Sequence, residues 1–177
     1  MKLINEIETP APVQAAGTRR IRIFGVGGAG VGLGDALNHG EFAGAAFAAI
    51  DTDSQSLAGS SATVKVHLET KLLRGMGTGG DPERGHALAE EQFSMLKSAC
   101  EGAEVIFILA GLGGGAGSGV SPVLARAAKE SGALVLAFVT LPFSCEGNRR
   151  QQQAQAGLER LKAMADGVIC LPNQKAF

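Results

Sequence analysis

The segment GLGGGAGSG, residues 111–119, places six glycines in nine positions directly after the apolar run VIFILA. Glycine loses more backbone freedom on folding than any other residue, so a stretch this rich in it needs a physical reason. A continuous apolar run is typical of a strand that is buried on both faces of a parallel sheet. The segment is therefore predicted to be a loop after a buried strand, where a ligand or another chain segment approaches the bare backbone.

Strand-like runs and helical patterns alternate along the chain. Strands are predicted at IRIFGV, FAAI, TVKVHL, VIFILA, LVLAFVT and VICLP. Asp81–Pro82 resembles an N-cap followed by a first-turn proline and predicts one helix that continues to Cys100. Ser121–Pro122 predicts a second helix start in the same way, and a third helix is predicted to end at Gly167. This alternation predicts an α/β fold, a Rossmann-like parallel sheet with helices on both faces.

Composition favours one globular domain and excludes several classes of protein. The chain has 177 residues, of which 45% are apolar, and a formal net charge of -1. That charge gives no reason to expect nucleic acid as a partner, and no apolar run is long enough to insert into a membrane. The three cysteines show no metal-binding or disulfide spacing, which favours a cytoplasmic protein. Residues 1–18 are predicted to be a flexible N-terminal arm and residues 19–177 the folded domain.

The first glycine loop, GVGGAG at residues 25–30, follows a predicted strand and precedes a predicted helix. The pattern G-x-G-x-x-G in that context indicates a phosphate group held at a helix N-terminus. Asp51 and Asp53 follow the next strand, about where a ribose-binding acid lies in a dinucleotide fold. On this loop alone, a dinucleotide-binding oxidoreductase domain is an open alternative.

The second glycine loop, residues 111–119, makes the dinucleotide-binding interpretation less favourable. Its backbone N–H groups can form an anion-binding nest beside a helix N-terminus. A dinucleotide fold needs only one such loop, and a P-loop protein needs a lysine that is missing after these glycines. Two glycine loops that converge on one site suit a triphosphate better than a pyrophosphate.

Three further loops carry polar side chains that suit a nucleotide. Lys71 and Arg74 flank a glycine turn at residues 75–80, which is predicted to be a mobile loop near a terminal phosphate. Glu146 can accept hydrogen bonds from ribose hydroxyls, and Arg150 can reach a phosphate or the sugar. Asn173 follows the last predicted strand, and its amide both donates and accepts, as recognition of a purine edge requires.

Taken in order, the motifs GVGGAG, DTD, GMGTGGDPERG, GLGGGAGSG, VTLPFSCEGNRR and LPNQKAF resemble the nucleotide-binding domain of FtsZ, the bacterial cell-division relative of tubulin. The resemblance runs from about Ile21 to Phe177. It implies that GTP or GDP binds with Mg²⁺ and that hydrolysis is the activity of the family. It also implies head-to-tail filaments at the division site, formed by self-association or by co-assembly with a full-length FtsZ-type protein, with other division proteins as further partners.

The resemblance also implies the residues that contact the nucleotide, without a metal-ligating or catalytic residue among them. The loops after the strands would supply them: Gly27, Gly28, Ala29, Gly30, Asp51, Asp53, Gly77, Thr78, Gly79, Gly113, Gly114, Gly115, Ala116, Gly117, Ser118, Gly119, Glu146, Arg150 and Asn173. The glycine loops would hold the phosphates, Glu146 and Arg150 the sugar, and Asn173 the guanine.

Several positions differ from the family pattern. Ala116 stands where the family has a threonine, Gly32 where it has an asparagine, Asp51 where it has another asparagine and Gln174 where it has an acid. Each difference is expected to weaken binding of GTP or Mg²⁺, while the backbone cradle stays intact. By the resemblance, this chain is expected to lack the family's central helix and second domain, whose acidic loop completes hydrolysis in the neighbouring subunit.

The sequence thus predicts a GTP-binding domain of an FtsZ-like cytoskeletal GTPase that is nearly inactive by itself. The alternative from another class is a structural or regulatory module with little or no nucleotide that caps or co-assembles with a filament. A dinucleotide-binding oxidoreductase is a third alternative, but it leaves the second glycine loop unexplained.

Overall fold

Six parallel strands form one sheet in the computed structural model, which describes residues 20–38, 46–69 and 77–175. The strand order is β3-β2-β1-β4-β5-β6, so the chain reverses direction across the sheet between β1 and β4. This is the doubly wound arrangement in which ligands bind beyond the carboxyl ends of the strands. The strands are β1 Ile21–Val26, β2 Ala46–Asp51, β3 Val64–His67, β4 Val105–Gly111, β5 Leu134–Leu141 and β6 Gly167–Pro172.

Helices connect the strands and lie on both faces of the sheet, as the alternating pattern predicts. They are α1 Gly27–Asn38, α2 Ser54–Ala58, α3 Pro82–Glu91, α4 Phe93–Cys100, α5 Gly115–Glu130 and α6 Asn148–Met164. Two short 3₁₀ turns follow β5 and β6, at Ser144–Glu146 and Asn173–Lys175. Of the helices in these described ranges, none is long and apolar enough to span a membrane.

Two apolar clusters hold the layers together. The larger one packs α3 to α6 on one face of the sheet, and its fully buried side chains include Phe24, Ile106 and Leu124. The smaller one packs α1 and α2 on the other face, around Val31 and Phe47. Strands β1 and β4 contribute to both clusters because successive side chains of a strand point to opposite faces. The predicted α/β class and parallel sheet are confirmed.

Two helix predictions are wrong in detail. The helix predicted from Pro82 to Cys100 is broken at Gln92, whose φ of -110° and ψ of 24° lie outside the helical region. The helix predicted to start at Ser121–Pro122 starts at Gly115, and Pro122 lies inside it. Glycine and proline both disfavour a helix locally, but 13 of the 16 residues of α5 are buried. Tertiary packing therefore overrides the local preference.

Some predictions fall outside the described residues. The flexible arm predicted at residues 1–18 lies entirely outside them, as do Lys71 and Arg74 of the predicted phosphate loop. The part of that loop that is described, from Gly77 onwards, forms a turn that leads into α3.

Two glycines permit the closest approaches between the sheet and its helices. A Cβ atom at Gly30 of α1 would overlap the backbone carbonyl oxygen of Leu109 in β4. A Cβ atom at Gly117 of α5 would likewise overlap the carbonyl oxygen of Gly111, at the end of the same strand. Backbone cannot move aside as a flexible side chain can, so these positions require glycine. Helices α1 and α5 consequently begin directly above the ends of β1 and β4.

We expect Gly30→Ala to lower the free energy of unfolding by roughly 3 kcal/mol or more, because the added methyl group overpacks against the β4 backbone. Gly32→Ala is the matched control, since it lies on the same helix with no atom within 4 Å of an added Cβ. It should raise the free energy of unfolding by about 0.5–1 kcal/mol through helix propensity. Urea unfolding of both variants measures the difference, and equal effects at the two positions would contradict the close contact.

Candidate functional site

A cleft of about 520 Å³ opens at the carboxyl ends of the strands. It is lined by residues that follow β1, β2, β4, β5 and β6, and by the turn that precedes α3. Its lining includes the segments that follow β1 and β4, between which the strand order reverses, as expected for a doubly wound sheet. The volume falls within the range of small-molecule sites.

Most of the residues predicted from the sequence line this one cleft. Fifteen of the nineteen do so: Gly27, Gly28, Ala29, Asp51, Asp53, Gly77, Thr78, Gly79, Gly114, Gly115, Ala116, Gly117, Glu146, Arg150 and Asn173. They come from six separate loops of the chain, so the fold rather than sequence proximity brings them together. Which of them contact a ligand stays a prediction.

The other four predicted residues do not line the cleft. Gly30 lies one turn into α1, against β4, and Gly119 lies in α5, where a Cβ atom would be 2.7 Å from the backbone nitrogen of His86 in α3. Gly113 lies within the glycine turn and Ser118 behind it, and the Gly113 N–H donates a hydrogen bond to Ser118 Oγ, 2.7 Å long. These glycines serve packing between elements, and Ser118 faces the turn.

Sequence reasoning missed seven residues that line the cleft: Thr52, Ser56, Gly80, Gly111, Leu112, Thr140 and Pro142. Three of them, Thr52, Gly80 and Leu112, adjoin a predicted residue in the chain, and Thr140 belongs to the end of the buried run LVLAFVT. The rule that ligands bind at strand ends could have found those positions. Ser56 on α2 gave no signal in the sequence, because it reaches the cleft only through the packing of that helix.

Two helix N-termini face the cleft, at Gly27 of α1 and Gly115 of α5. A Cβ atom at Gly27 would lie 3.0 Å from the backbone nitrogen of Gly117, so the two glycine segments are in contact. The first N–H groups of an α-helix have no acceptor within the helix, and the helix dipole makes that end positive. The arrangement therefore presents several free N–H donors to an anion from two directions.

Charged side chains do not supply this attraction. The described residues lining the cleft include three carboxylates, of Asp51, Asp53 and Glu146, and one cation, Arg150. Asp51 is only 4% exposed, and its Oδ1 accepts hydrogen bonds from the backbone N–H groups of Thr52 at 2.7 Å and Asp53 at 3.3 Å. The carboxylate of Asp53 caps α2 by accepting from the N–H of Gln55 at 2.9 Å. Both acids thus hold the turn after β2 in place.

Glu146 and Arg150 lie at the opposite end of the cleft, on the 3₁₀ turn after β5 and the first turn of α6. Their side chains form an ion pair with an N–O distance of 2.5 Å. A second oxygen of Glu146 accepts from the backbone N–H of Phe143 at 2.7 Å. Nearby, the Gln174 side chain donates to Ser144 Oγ and joins the turns after β5 and β6. Asn173 therefore lines the cleft together with the polar side chains of Glu146 and Arg150.

The described residues hold no ready-made metal centre. Within residues 20–38, 46–69 and 77–175, no group of three or more histidine, cysteine, aspartate or glutamate side chains is placed to hold a metal ion. The glycine turns add backbone N–H groups to the polar side chains that line the cleft.

Comparison with known proteins agrees with this geometry. Among solved structures, the chain matches an empty FtsZ dimer from M. jannaschii with a TM-score of 0.86 and 42% sequence identity, over 90% of this chain and 47% of that one. It matches a GTPγS-bound CetZ2 protofilament from Haloferax volcanii with a TM-score of 0.80 and 34% identity, over 88% of this chain and 49% of that one. A GDP-bound CetZ1 monomer from the same organism matches with a TM-score of 0.79 and 26% identity, over 87% and 51% of the two chains.

The chain thus spans about half the length of the structures that it matches. Residues 20–177 also match the family model described as "Tubulin/FtsZ family, GTPase domain". This match includes all of the residues that the structure describes. The description of that family names a GTPase domain. The chain belongs to the Tubulin/FtsZ family and carries its GTPase domain.

Proposed function

We propose that the cleft binds GTP and GDP, with the phosphates at the two glycine turns. The observation that carries the proposal is the meeting of two helix N-termini, at Gly27 and Gly115, over one cleft. Each supplies free N–H donors and a positive dipole end, and together they can surround a chain of phosphates rather than a single group. Backbone donors are independent of side-chain identity, so the loss of a hydroxyl at Ala116 leaves them in place.

The other walls suit the remaining parts of a nucleotide. Asn173 is far from the glycine turns in the sequence. The two lie on the same cleft because β4, β5 and β6 are neighbours in the sheet. In this arrangement Glu146 and Arg150 would contact the ribose, and Asn173 would pair with the base edge through its amide. Gly77, Thr78 and Gly79 also line the cleft, and Thr78 lies against Gly115 at the start of α5, where a terminal phosphate would reach.

Mg²⁺ would accompany the triphosphate and offset its negative charge beside three carboxylates. This ion commonly keeps several water ligands and is bound through substrate phosphates and one or two carboxylates. Such a site needs no group of protein ligands prepared in advance, which fits the described residues. The nearby acids, Asp51 and Asp53, are the candidates for a contact through water.

Hydrolysis by these 177 residues should be slow. The carboxylates at the cleft are already engaged: Asp51 and Asp53 hold backbone N–H groups, and Glu146 pairs with Arg150. Each of the three thus already serves a structural role through at least one oxygen, and the one described cation of the cleft, Arg150, is paired with Glu146. The proposal assigns nucleotide binding to this domain and leaves rapid turnover to residues supplied by other segments or subunits.

Within the cell, we propose a cytoplasmic role in filaments at the division site. The matched structures are described as an FtsZ dimer and a CetZ2 protofilament, which supports self-association of related domains. Co-assembly with a longer FtsZ-type chain follows from the same similarity. These statements concern a cytoskeletal protein of about twice this length and extend to this chain by analogy.

Calorimetric titration tests guanine-nucleotide binding directly. With Mg²⁺ present, we expect GTP and GDP to bind at least about tenfold more tightly than ATP, since a positioned amide discriminates by about one hydrogen bond. Asn173→Ala should remove most of that preference and leave the phosphate contacts. Asn148→Ala, an exposed asparagine at the start of α6 outside the cleft, is the matched control.

Two results would contradict this proposal. Equal affinity for GTP and ATP would remove the guanine assignment, and preference for NAD would favour the oxidoreductase alternative. Absence of binding by any guanine nucleotide would favour the structural or regulatory module, whose role in a filament needs no ligand in the cleft.

Phosphate release from GTP tests the expected slow hydrolysis. The rate should be on the order of 10⁻³ s⁻¹ or lower, the range of a GTPase without a positioned stabilising group at the terminal phosphate. A rate near 1 s⁻¹ by the purified 177-residue chain, unchanged on dilution, would show that the engaged carboxylates suffice and would refute the proposal.

A further inference from the structure

A buried hydroxyl lies directly behind the glycine turn of the cleft. Ser118 is 1% exposed and does not line the cleft, although the residues on either side of the turn do. Its Oγ accepts a hydrogen bond of 2.7 Å from the N–H of Gly113, and its own N–H donates to the carbonyl of Gly114 at 3.1 Å. Ser118 therefore bonds twice to the segment that connects β4 to α5.

Gly113 is enclosed by the segment that follows β5 and by the start of α6. Its φ of +103° lies in the region that favours glycine, and a Cβ atom there would lie 3.2 Å from the carbonyl oxygen of Arg150 and 3.3 Å from Cγ of Pro142. A buried N–H without a partner is costly, so the hydroxyl of Ser118 satisfies a donor that the turn would otherwise leave unpaired. The same bond fixes the turn in its left-handed conformation.

Helix α6 closes the other side of this hydroxyl. A Cβ atom at Gly157 would lie 2.8 Å from Cβ of Ser118 and 3.1 Å from its Oγ, so there is no space for another side chain at position 157. The first turn of the same helix carries Arg150, which pairs with Glu146 at the far end of the cleft. The series Gly157–Ser118–Gly113 therefore joins α6, α5 and the glycine turn at one point.

We propose that Ser118 is a positioning residue for nucleotide binding, an inference that rests on the proposed function. Its hydroxyl oxygen accepts the hydrogen bond from the Gly113 N–H and holds the turn against α6. The N–H groups from Gly114 to Gly117, which line the cleft, are thereby kept free for phosphate oxygens and at a fixed distance from Glu146 and Arg150. Ser118 thus acts from behind the phosphate site without contacting the ligand.

Ser118→Ala tests this role, with Ser121→Ala as the matched control. Ser121 lies one turn further along α5, is fully buried, and its Oγ has no hydrogen-bond partner in the described structure. Both variants remove one buried hydroxyl from the same helix, but only the first frees the turn. We expect the Kd for GDP to rise about tenfold in Ser118→Ala and to change less than twofold in Ser121→Ala, both measured well below the unfolding temperature.

Amide hydrogen exchange, followed by NMR, distinguishes a local effect on the turn from a general loss of stability, because it gives the exchange rate of each amide separately. In the wild-type protein without nucleotide, the Gly113 amide should exchange more slowly than the amides of Gly115 and Gly117, which have no helical acceptor. In Ser118→Ala, protection should be lost at Gly113 while the amide of Ile108 in β4 keeps its protection. Ser121→Ala should leave all of these amides as in the wild type.

Two results would overturn the inference on its own. One is wild-type affinity for GDP in Ser118→Ala. The other is a wild-type Gly113 amide that exchanges as fast as that of Gly115, a measurement that needs no variant to fold. If the wild-type protein binds no guanine nucleotide at all, the proposed function fails, and the positioning role fails with it.

Discussion

The close contact between the backbone at the end of β4 and the helices α1 and α5 is the constraint on which the cleft depends. Gly30 lies against Leu109, Gly117 lies against Gly111, and Gly27 meets Gly117 where the two helices begin. Any side chain at these positions would separate the helices from the strand ends. The glycines therefore do two things at once: they let the layers pack, and they bring two sets of unpaired N–H groups to one place.

This construction makes backbone N–H groups the main hydrogen-bond donors that the two helix N-termini offer to an anion in the cleft. The acids after β2 are engaged with backbone N–H groups, and Arg150 is paired with Glu146. A site of this kind tolerates Ala116 in place of a hydroxyl, because the donors belong to the peptide groups. The negative charge of Asp51 is compatible with a bound anion in the proposed site, since its Oδ1 already accepts hydrogen bonds from two backbone N–H groups.

Periodicity and apolar runs were sufficient to predict the parallel sheet, because strands buried on both faces leave a clear signal. The same signals failed where tertiary packing decides the local structure. Glycine and proline concealed the first two turns of α5, and nothing in the apolar spacing revealed the break at Gln92. At the cleft, motif resemblance indicated the loops but could not separate Gly114, which lines it, from Ser118, which lies behind it. That distinction depends on which way a side chain faces, and only the folded structure supplies it.

A crystal structure of the protein with GDP would test the central claim most directly, because the claim concerns which atoms hold the phosphates. The account predicts phosphate oxygens about 3 Å from the backbone nitrogens of residues 114–117 and from the start of α1, with no lysine between them. It predicts Ser118 Oγ still bonded to Gly113 and away from the ligand. Phosphates bound chiefly by side chains, or a nucleotide outside the cleft, would contradict it.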